Sequence, residues 1–290
     1  MIKKTWKQYG IIFLIFIGLF GMVTNSYIYA DFPEREDAFN IPILMYHHIT
    51  VNENEINSST VSVEKFKQDM MYLKQNGYTT LHFQDVLDAK QQGKLLPEKS
   101  IIITFDDGYR SNYQYAYPIL RELELKGTIF LIGWSMQRNT HKDGVTPIIP
   151  HLTWNEAREM YHSGVMDLQH HTYDLHNPIE KTFYYGKGVA PYTDESIEDY
   201  EMRFLQDTVL WKIKIEQKIG NHVFVFAYPY GEGYPFTEQI LKENGFQFSL
   251  VTGQGINRLS QDNFLLSRIN VTEEDSLEEL IESFFLAEDF

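Results

Sequence analysis

The sequence predicts an α/β barrel of about seven parallel strands. Three observations predict it. Strand-like apolar runs and helical patterns alternate about seven times along the chain, as parallel strands joined by crossover helices do. A length of 290 residues with 43% hydrophobic content suits a single barrel core. Side chains capable of chemistry recur directly after the strands, at His47, Asp106, Asp107, His171 and Tyr230. A barrel gathers such positions on one face, whereas an open doubly wound sheet joins only one or two such loops.

The elements follow in order. Lys3, Lys4 and Lys7 precede an apolar run from Ile11 to Val23, and Ala30 closes a more polar stretch. That is the layout of a secretory signal peptide over residues 1–30, leaving residues 31–290 as the folded domain. The run is short beside the ~20 residues of a membrane-spanning helix. An uncleaved anchor, extended through Tyr27 and Tyr29, is the alternative. Residues 41–47 read as the first strand. Residues 62–77 carry Val63, Phe66, Met70 and Leu73 at helical spacing, with Gly77 as a stop. A short helix over 83–93 leads to a buried-type strand over 100–105, which ends in Asp106, Asp107 and Gly108.

Residues 112–126 read as a helix kinked at Pro118, and 127–133 as a strand. Thr153 and Glu156 form a capping box that opens a helix to Gly164. A strand over 165–169, a long helix over 196–220 and a strand over 222–227 follow. Residues 236–245 are helical, and 246–252 and 265–271 are strands. Ser276 and Glu279 make a second capping box, opening the last helix.

The chain has no cysteine, so its stability rests on a core rather than on disulfides. Its net charge is −15, and the first 30 residues contribute only lysines to that balance. Such acidity argues against nucleic acid or anionic headgroups as partners and suits a neutral or cationic one.

Two motifs carry chemistry. In Thr104-Phe105-Asp106-Asp107-Gly108, two adjacent carboxylates end an apolar strand. Like charges beside a core are costly unless one binds a cation or holds a proton. A metal on one leaves the other free to act as a base. In His170-His171-Thr172-Tyr173-Asp174-Leu175-His176, three histidines follow a strand. His171 and His176 are spaced wrongly for one helix face but suit a loop that curls back on itself. Two imidazoles and a carboxylate with open positions make a catalytic metal set. His170 reads as a neighbour rather than a ligand. A weaker signal is Pro229-Tyr230, where the backbone N–H of Tyr230 can be aimed at a developing oxyanion.

Together these motifs resemble the polysaccharide deacetylases, the family 4 carbohydrate esterases, from Ile41 to about Gly255 and in the family's motif order. The resemblance implies the distorted NodB-like barrel and a hydrolytic N-deacetylase. It implies Asp106 as general base and Asp107, His171 and His176 as ligands of one divalent metal ion, zinc first, with nickel or cobalt as alternatives. Three departures stand out. The second metal histidine is one residue later than in the usual pattern. Ala227 stands where an Arg is expected before the Pro-Tyr pair, so the group that would tune Asp106 is not identified. No His follows His222, so the usual C-terminal catalytic His is missing.

With Met45-Tyr46-His47, these departures resemble the subgroup acting on poly-β-1,6-N-acetylglucosamine. That implies an N-acetylglucosamine polymer as substrate, a secreted enzyme associated with the cell surface, and a cationic biofilm polysaccharide as product. Strand alternation sends His47 and His48 to opposite sides, so at most one of them faces the site. The Met-Tyr-His order, which resembles the related deacetylases at the first of the pair, implies His47 as the general acid. Residues 183–192 hold Phe183, Tyr184, Tyr185 and Tyr192 and read as a loop that lines the glycan groove or touches a membrane or wall surface. Two rivals are a glycosidase on the same barrel, which needs two carboxylates facing across a sugar, and a non-catalytic glycan-binding wall protein.

Overall fold

The computed structural model describes residues 41–176, 188–253, 257 and 262–286. Seven parallel strands make the barrel: β1 (Ile43–Tyr46), β2 (Ser100–Phe105), β3 (Gly127–Leu131), β4 (Met166–His170), β5 (Val225–Ala227), β6 (Phe248–Thr252) and β7 (Leu266–Asn270). They run in the order β1-β7-β6-β5-β4-β3-β2, and a β1–β2 pairing closes the ring. Closure leaves no open sheet edge among these seven strands.

The strands were legible because every residue of β2, β3 and β4 is buried on one face or the other. Alternate residues serve two cores. Leu44, Ile103, Phe105, Ile129 and Leu131 pack outward against helix residues such as Phe66, Phe204 and Trp211. Ile43, Ile102, Phe130, Val225, Phe248 and Leu250 fill the inside.

The surrounding helices are α1 (Val63–Gln75), α2 (Phe83–Gln92), α3 (Tyr117–Glu122), α4 (Trp154–His162), α5 (Ile197–Ile219), α6 (Pro235–Glu243) and α7 (Leu277–Leu286). The Thr153–Glu156 capping box forms as read, and Ser62 and Ser196 cap α1 and α5. The expected long helix over 112–126 is instead a wide π turn, Asn112–Ala116, running into a short α3. The wide turn sits just ahead of Pro118, whose missing N–H breaks the regular ladder. The strand expected from His222 starts only at Val225. The N–H groups of Phe224 and Val225 both donate to Gln169 Oε1, so a side chain takes the bonds a neighbouring strand would have made. Two ribbons went unread because they are too short to show a period. His48–Thr50 pairs with Thr60–Ser62, and Thr79–Thr80 extends the sheet at β2.

Register is what positions the chemistry. Tyr46 lies beside Phe105, Phe105 beside Ile129, and His170 beside Leu131 and Phe226. The residues that follow, His47, Asp106 and His171, therefore leave the barrel on one rim. The ladder continues across that rim: Asp106 N–H donates to Tyr46 O at 2.9 Å and His171 N–H to Leu131 O at 3.1 Å.

Close approach at the rim makes one glycine obligatory. A Cβ on Gly133 would lie 2.1 Å from Tyr173 Cδ2 and 2.8 Å from Tyr173 Cα. The Cα cannot rotate away, so Gly133→Ala must push back the loop that carries Tyr173. Overpacking of this kind costs roughly 1–3 kcal/mol, and urea denaturation should show that loss, whereas Gly77→Ala, which meets no atom within 4 Å, tests a glycine whose only demand is its backbone angle.

Candidate active site and metal centre

The turn after β2 is built for close approach. Asp107 has φ +70° and Gly108 φ +72°. Asp tolerates this left-handed region better than most residues. Gly108 needs it and also the space, since a Cβ there would meet Leu131 Cδ2 at 2.9 Å. The turn thereby brings both aspartates into the rim, 3% and 7% exposed.

Each carboxylate is compensated differently. Arg268, on β7 and fully buried, grips Asp106 with both ends of its guanidinium: Nη1 to Oδ1 at 2.5 Å and Nη2 to Oδ2 at 2.7 Å. Burial would raise the pKa of Asp106, but the arginine, with His171 behind it, overrides burial and holds the carboxyl below its usual range. Asp107 has no arginine. Burial is again outweighed, here by His176 and His171, and its pKa falls far below normal.

The two histidines expected as metal ligands sit on a loop fixed at many points. Thr172 takes φ +66°. Gly133 N–H donates to Thr172 O and Trp134 N–H to Tyr173 O. From α5, the Asp207 carboxylate accepts the N–H groups of Tyr173 and Asp174, both at 2.7 Å. His170 braces the same loop. Its Nδ1 accepts Thr172 N–H at 3.0 Å, so its Nε2–H donates to Thr208 O at 3.0 Å. Burial lowers its pKa to about 3, in keeping with a neutral strut.

His171 donates Nδ1–H to Ala227 O at 2.8 Å, which turns Nε2 toward the aspartates, 3.5 Å from Asp107 and 3.8 Å from Asp106. His176 Nε2 lies 3.3 Å from Asp107 Oδ1. One donor atom each from Asp107, His171 and His176 fall within 4.8 Å of one another. Asp107 Oδ1 is buried and has no hydrogen-bond donor. A buried carboxylate oxygen without a donor, facing two imidazole nitrogens, fits a divalent cation. The three side chains expected as ligands are thus brought together, and His170 is not among them.

The other expected residues are placed as follows. His47 is partly buried, its carbonyl held by Asn112 Nδ2–H at 2.8 Å, and it lies near enough to Asp106 and Asp107 to favour their ionised forms. His48 turns elsewhere, with Nδ1 2.9 Å from Ser111 Oγ. Tyr230 adopts φ +59° and sets its ring 4.7 Å from the His176 ring. The expected 183–192 loop lies outside the described residues up to Lys187, as do residues 1–30, where a leader is expected. Among the described residues, no helix is long and apolar enough to cross a membrane.

Four participants were not read from the sequence. Arg268 interrupts an otherwise strand-like run, and a charge in a buried strand demands a partner. Asp207 lies on the same α5 face as buried Phe204, Thr208 and Trp211, the same kind of signal. Tyr109 has its pKa pushed far up, first by the Asp107 charge and then by burial. His151 lies in the stretch connecting β3 to α4. It is 7% exposed, its ring is 5.0 Å from Tyr109, and burial lowers its pKa to about 4 against the pull of Asp107.

Asp207→Ala removes both acceptors from the loop, and should weaken divalent-metal binding by roughly 10–100-fold, as loss of such supporting groups does elsewhere. Asp207→Asn keeps one acceptor and should fall between. Competition against a chromophoric chelator measures this, and unchanged affinity in Asp207→Ala would show that the loop holds its shape without α5.

Comparison with known proteins agrees with this geometry. Residues 93–249 match the family model described as polysaccharide deacetylase. The chain is 30% identical over 249 residues to YxkH of Bacillus subtilis (strain 168), whose name is that of a polysaccharide deacetylase, covering 86% of this chain and 76% of that one. It is 26% identical over 231 residues to the poly-β-1,6-N-acetyl-D-glucosamine N-deacetylase of Staphylococcus aureus (strain N315), covering 79% and 73%. The structure of IcaB from Ammonifex degensii superposes with a TM-score of 0.68 at 27% identity, covering 84% of this chain and 97% of that one. The chain belongs to the polysaccharide deacetylase family and is an N-deacetylase hydrolase with the family's closed seven-stranded barrel.

Proposed function

We propose that this enzyme is secreted, depends on a divalent metal, and deacetylates poly-β-1,6-N-acetylglucosamine at the cell surface. The observation that carries the metal dependence is the donorless, buried Asp107 Oδ1 facing the Nε2 atoms of His171 and His176. The named activities of the Staphylococcus aureus relative and its kin support the substrate. The charged-then-apolar layout of residues 1–30 supports secretion.

When bound by Asp107, His171 and His176, a divalent ion supplies Lewis acidity, polarising the acetamide carbonyl and lowering the pKa of the attacking water. Zinc suits the two-imidazole, one-carboxylate set, with nickel or cobalt as alternatives. Asp106, held ionised by Arg268, accepts the proton as the water oxygen bonds to the carbonyl carbon. The Tyr230 backbone N–H, presented by its left-handed conformation, donates to the developing oxyanion. The C–N bond then breaks as His47 donates a proton to the departing nitrogen. Acetate leaves, and a free amine remains on the sugar. Residues 183–192 supply the contact with glycan, membrane or wall.

The two carboxylates belong to sequence neighbours and converge on one imidazole rather than flanking a sugar from two sides. Both lie within 3.8 Å of the same His171 nitrogen, which favours the deacetylase over a glycosidase.

Chelation should abolish acetate release, and added zinc should restore it. His47→Ala should keep metal and fold but lower turnover by roughly 10²–10⁴-fold, the usual worth of a general acid. If it stays within a few-fold while His48→Ala is dead, the wrong histidine of the pair has been assigned. Arg268→Met probes the base. Without the guanidinium, burial dominates, the Asp106 pKa rises, and the acid limb of kcat/KM must move to higher pH. A limb that stays put removes Asp106 from the proton transfer.

A further inference from the structure

Beside the metal centre lies a second cleft of about 870 Å³, within the range of sites that take small ligands. Its walls include His48, Glu55, Arg110, Ser111, Gln114 and Ile149. Tyr109 joins it to the reaction centre. This tyrosine feels the Asp107 charge, and its ring lies 5.4 Å from that of His48. A polymer with one acetamido group at Asp107 therefore has room for a neighbouring sugar in the cleft.

The charges of the cleft are unbalanced. Among the described residues that line it, the one carboxylate is Glu55 and the one permanent cation is Arg110. Arg110 is already committed, with Nε 2.7 Å from Glu156 Oε1. Glu55 is fixed in place rather than neutralised. Thr50 Oγ1–H donates to Oε2 at 2.6 Å, and Asn52 Nδ2–H donates to Oε1 at 3.0 Å. Its side chain stays 52% exposed, and His48 Nε2 is 3.7 Å away. The hydroxyl and amide donors favour the ionised form. The cleft thus presents an oriented, accessible negative charge among neutral hydrogen-bonding groups.

The reaction creates the matching charge. Each turnover converts a neutral acetamido group into an ammonium on the polymer. We propose that the cleft is a subsite for a sugar adjacent to the one being hydrolysed, and that Glu55 selects a glucosamine already freed of its acetyl group. This rests on the reading of Asp107, His171 and His176 as the reaction centre. Deacetylation then proceeds next to existing amines, and the free amines on the polymer cluster.

The test uses metal-loaded protein and β-1,6-linked pentamers, one fully N-acetylated and others with a single free amine at each internal position in turn. Acetate release gives kcat and KM for each. One amine position should lower KM by roughly 2–5-fold with kcat unchanged, the size of a partly exposed ion pair. The preference should fade at high salt. Glu55→Gln, which keeps a hydrogen-bonding amide in place of the carboxylate, should erase the preference while KM for the fully acetylated pentamer stays within about twofold. A wild type indifferent to every amine position overturns the proposal. So does a preference that persists in Glu55→Gln or at high salt. The salt series needs only wild-type protein, so it decides even if the variant misfolds. Failure to release acetate from any pentamer overturns the functional reading itself, and the subsite with it.

Discussion

Two neighbouring carboxylates buried on a barrel rim are the constraint around which the rest is arranged. Asp106 and Asp107 are both nearly inaccessible, and like charges so placed cannot both stay ionised in an apolar setting without compensation. The protein compensates them from opposite directions. A bidentate arginine reaches Asp106 from β7, inside the barrel. Two imidazoles reach Asp107 from the loop after β4. The difference separates their chemistry. Asp106 has its charge balanced within the protein, by the Arg268 guanidinium. Asp107 keeps a buried oxygen with no hydrogen-bond donor, which fits a cation.

That division works only if the loop after β4 holds its shape, and α5 is the brace. Asp207 takes two loop amides, Thr208 O takes the proton of His170, and Trp211 Nε1–H donates to Leu131 O at 2.8 Å. Leu131 O also accepts His171 N–H, so helix, strand and histidine loop meet at one carbonyl. The histidine run that looks redundant in sequence is thereby divided. His170 is a buried neutral strut, while His171 and His176 face Asp107.

What was legible in the sequence follows periods and motifs. The seven barrel strands and the capped helices showed themselves because each carries its own local pattern. The Asp106-Asp107 pair, His171 and His176 were found because unusual residue types cluster directly after strands. What was not legible depends on contacts between distant segments. Arg268 is 162 residues from Asp106 and meets it only because the barrel closes. His151 lies in a connecting stretch that carries no period, and only the fold pairs it with Tyr109, two residues after Asp107. The late start of β5 turned on one glutamine side chain, Gln169, taking two amides that a pattern assigns to a strand.

Barrel closure also explains how the chain departs from the common motif layout without losing the site. Ala227 stands at the position where an arginine was expected to tune the base. Its carbonyl is used instead, orienting His171 at 2.8 Å. The tuning charge comes from Arg268, two strands further round the ring. In an open sheet those strand ends would diverge. In a closed barrel every strand ends on the same rim, so an arginine on any of several strands can reach Asp106. What the carboxylate requires is a guanidinium at bonding distance with its other side buried, and Arg268, lying over the Phe130 ring at 5.5 Å, meets that condition. The same reasoning applies to the histidine loop. The extra residue between His171 and His176 is accommodated because the loop is held by backbone bonds to Gly133, Trp134 and Asp207, not by the repeat of a helix. The site is held in space by its partners, and the spacing of its residues along the chain matters only as far as those partners still reach.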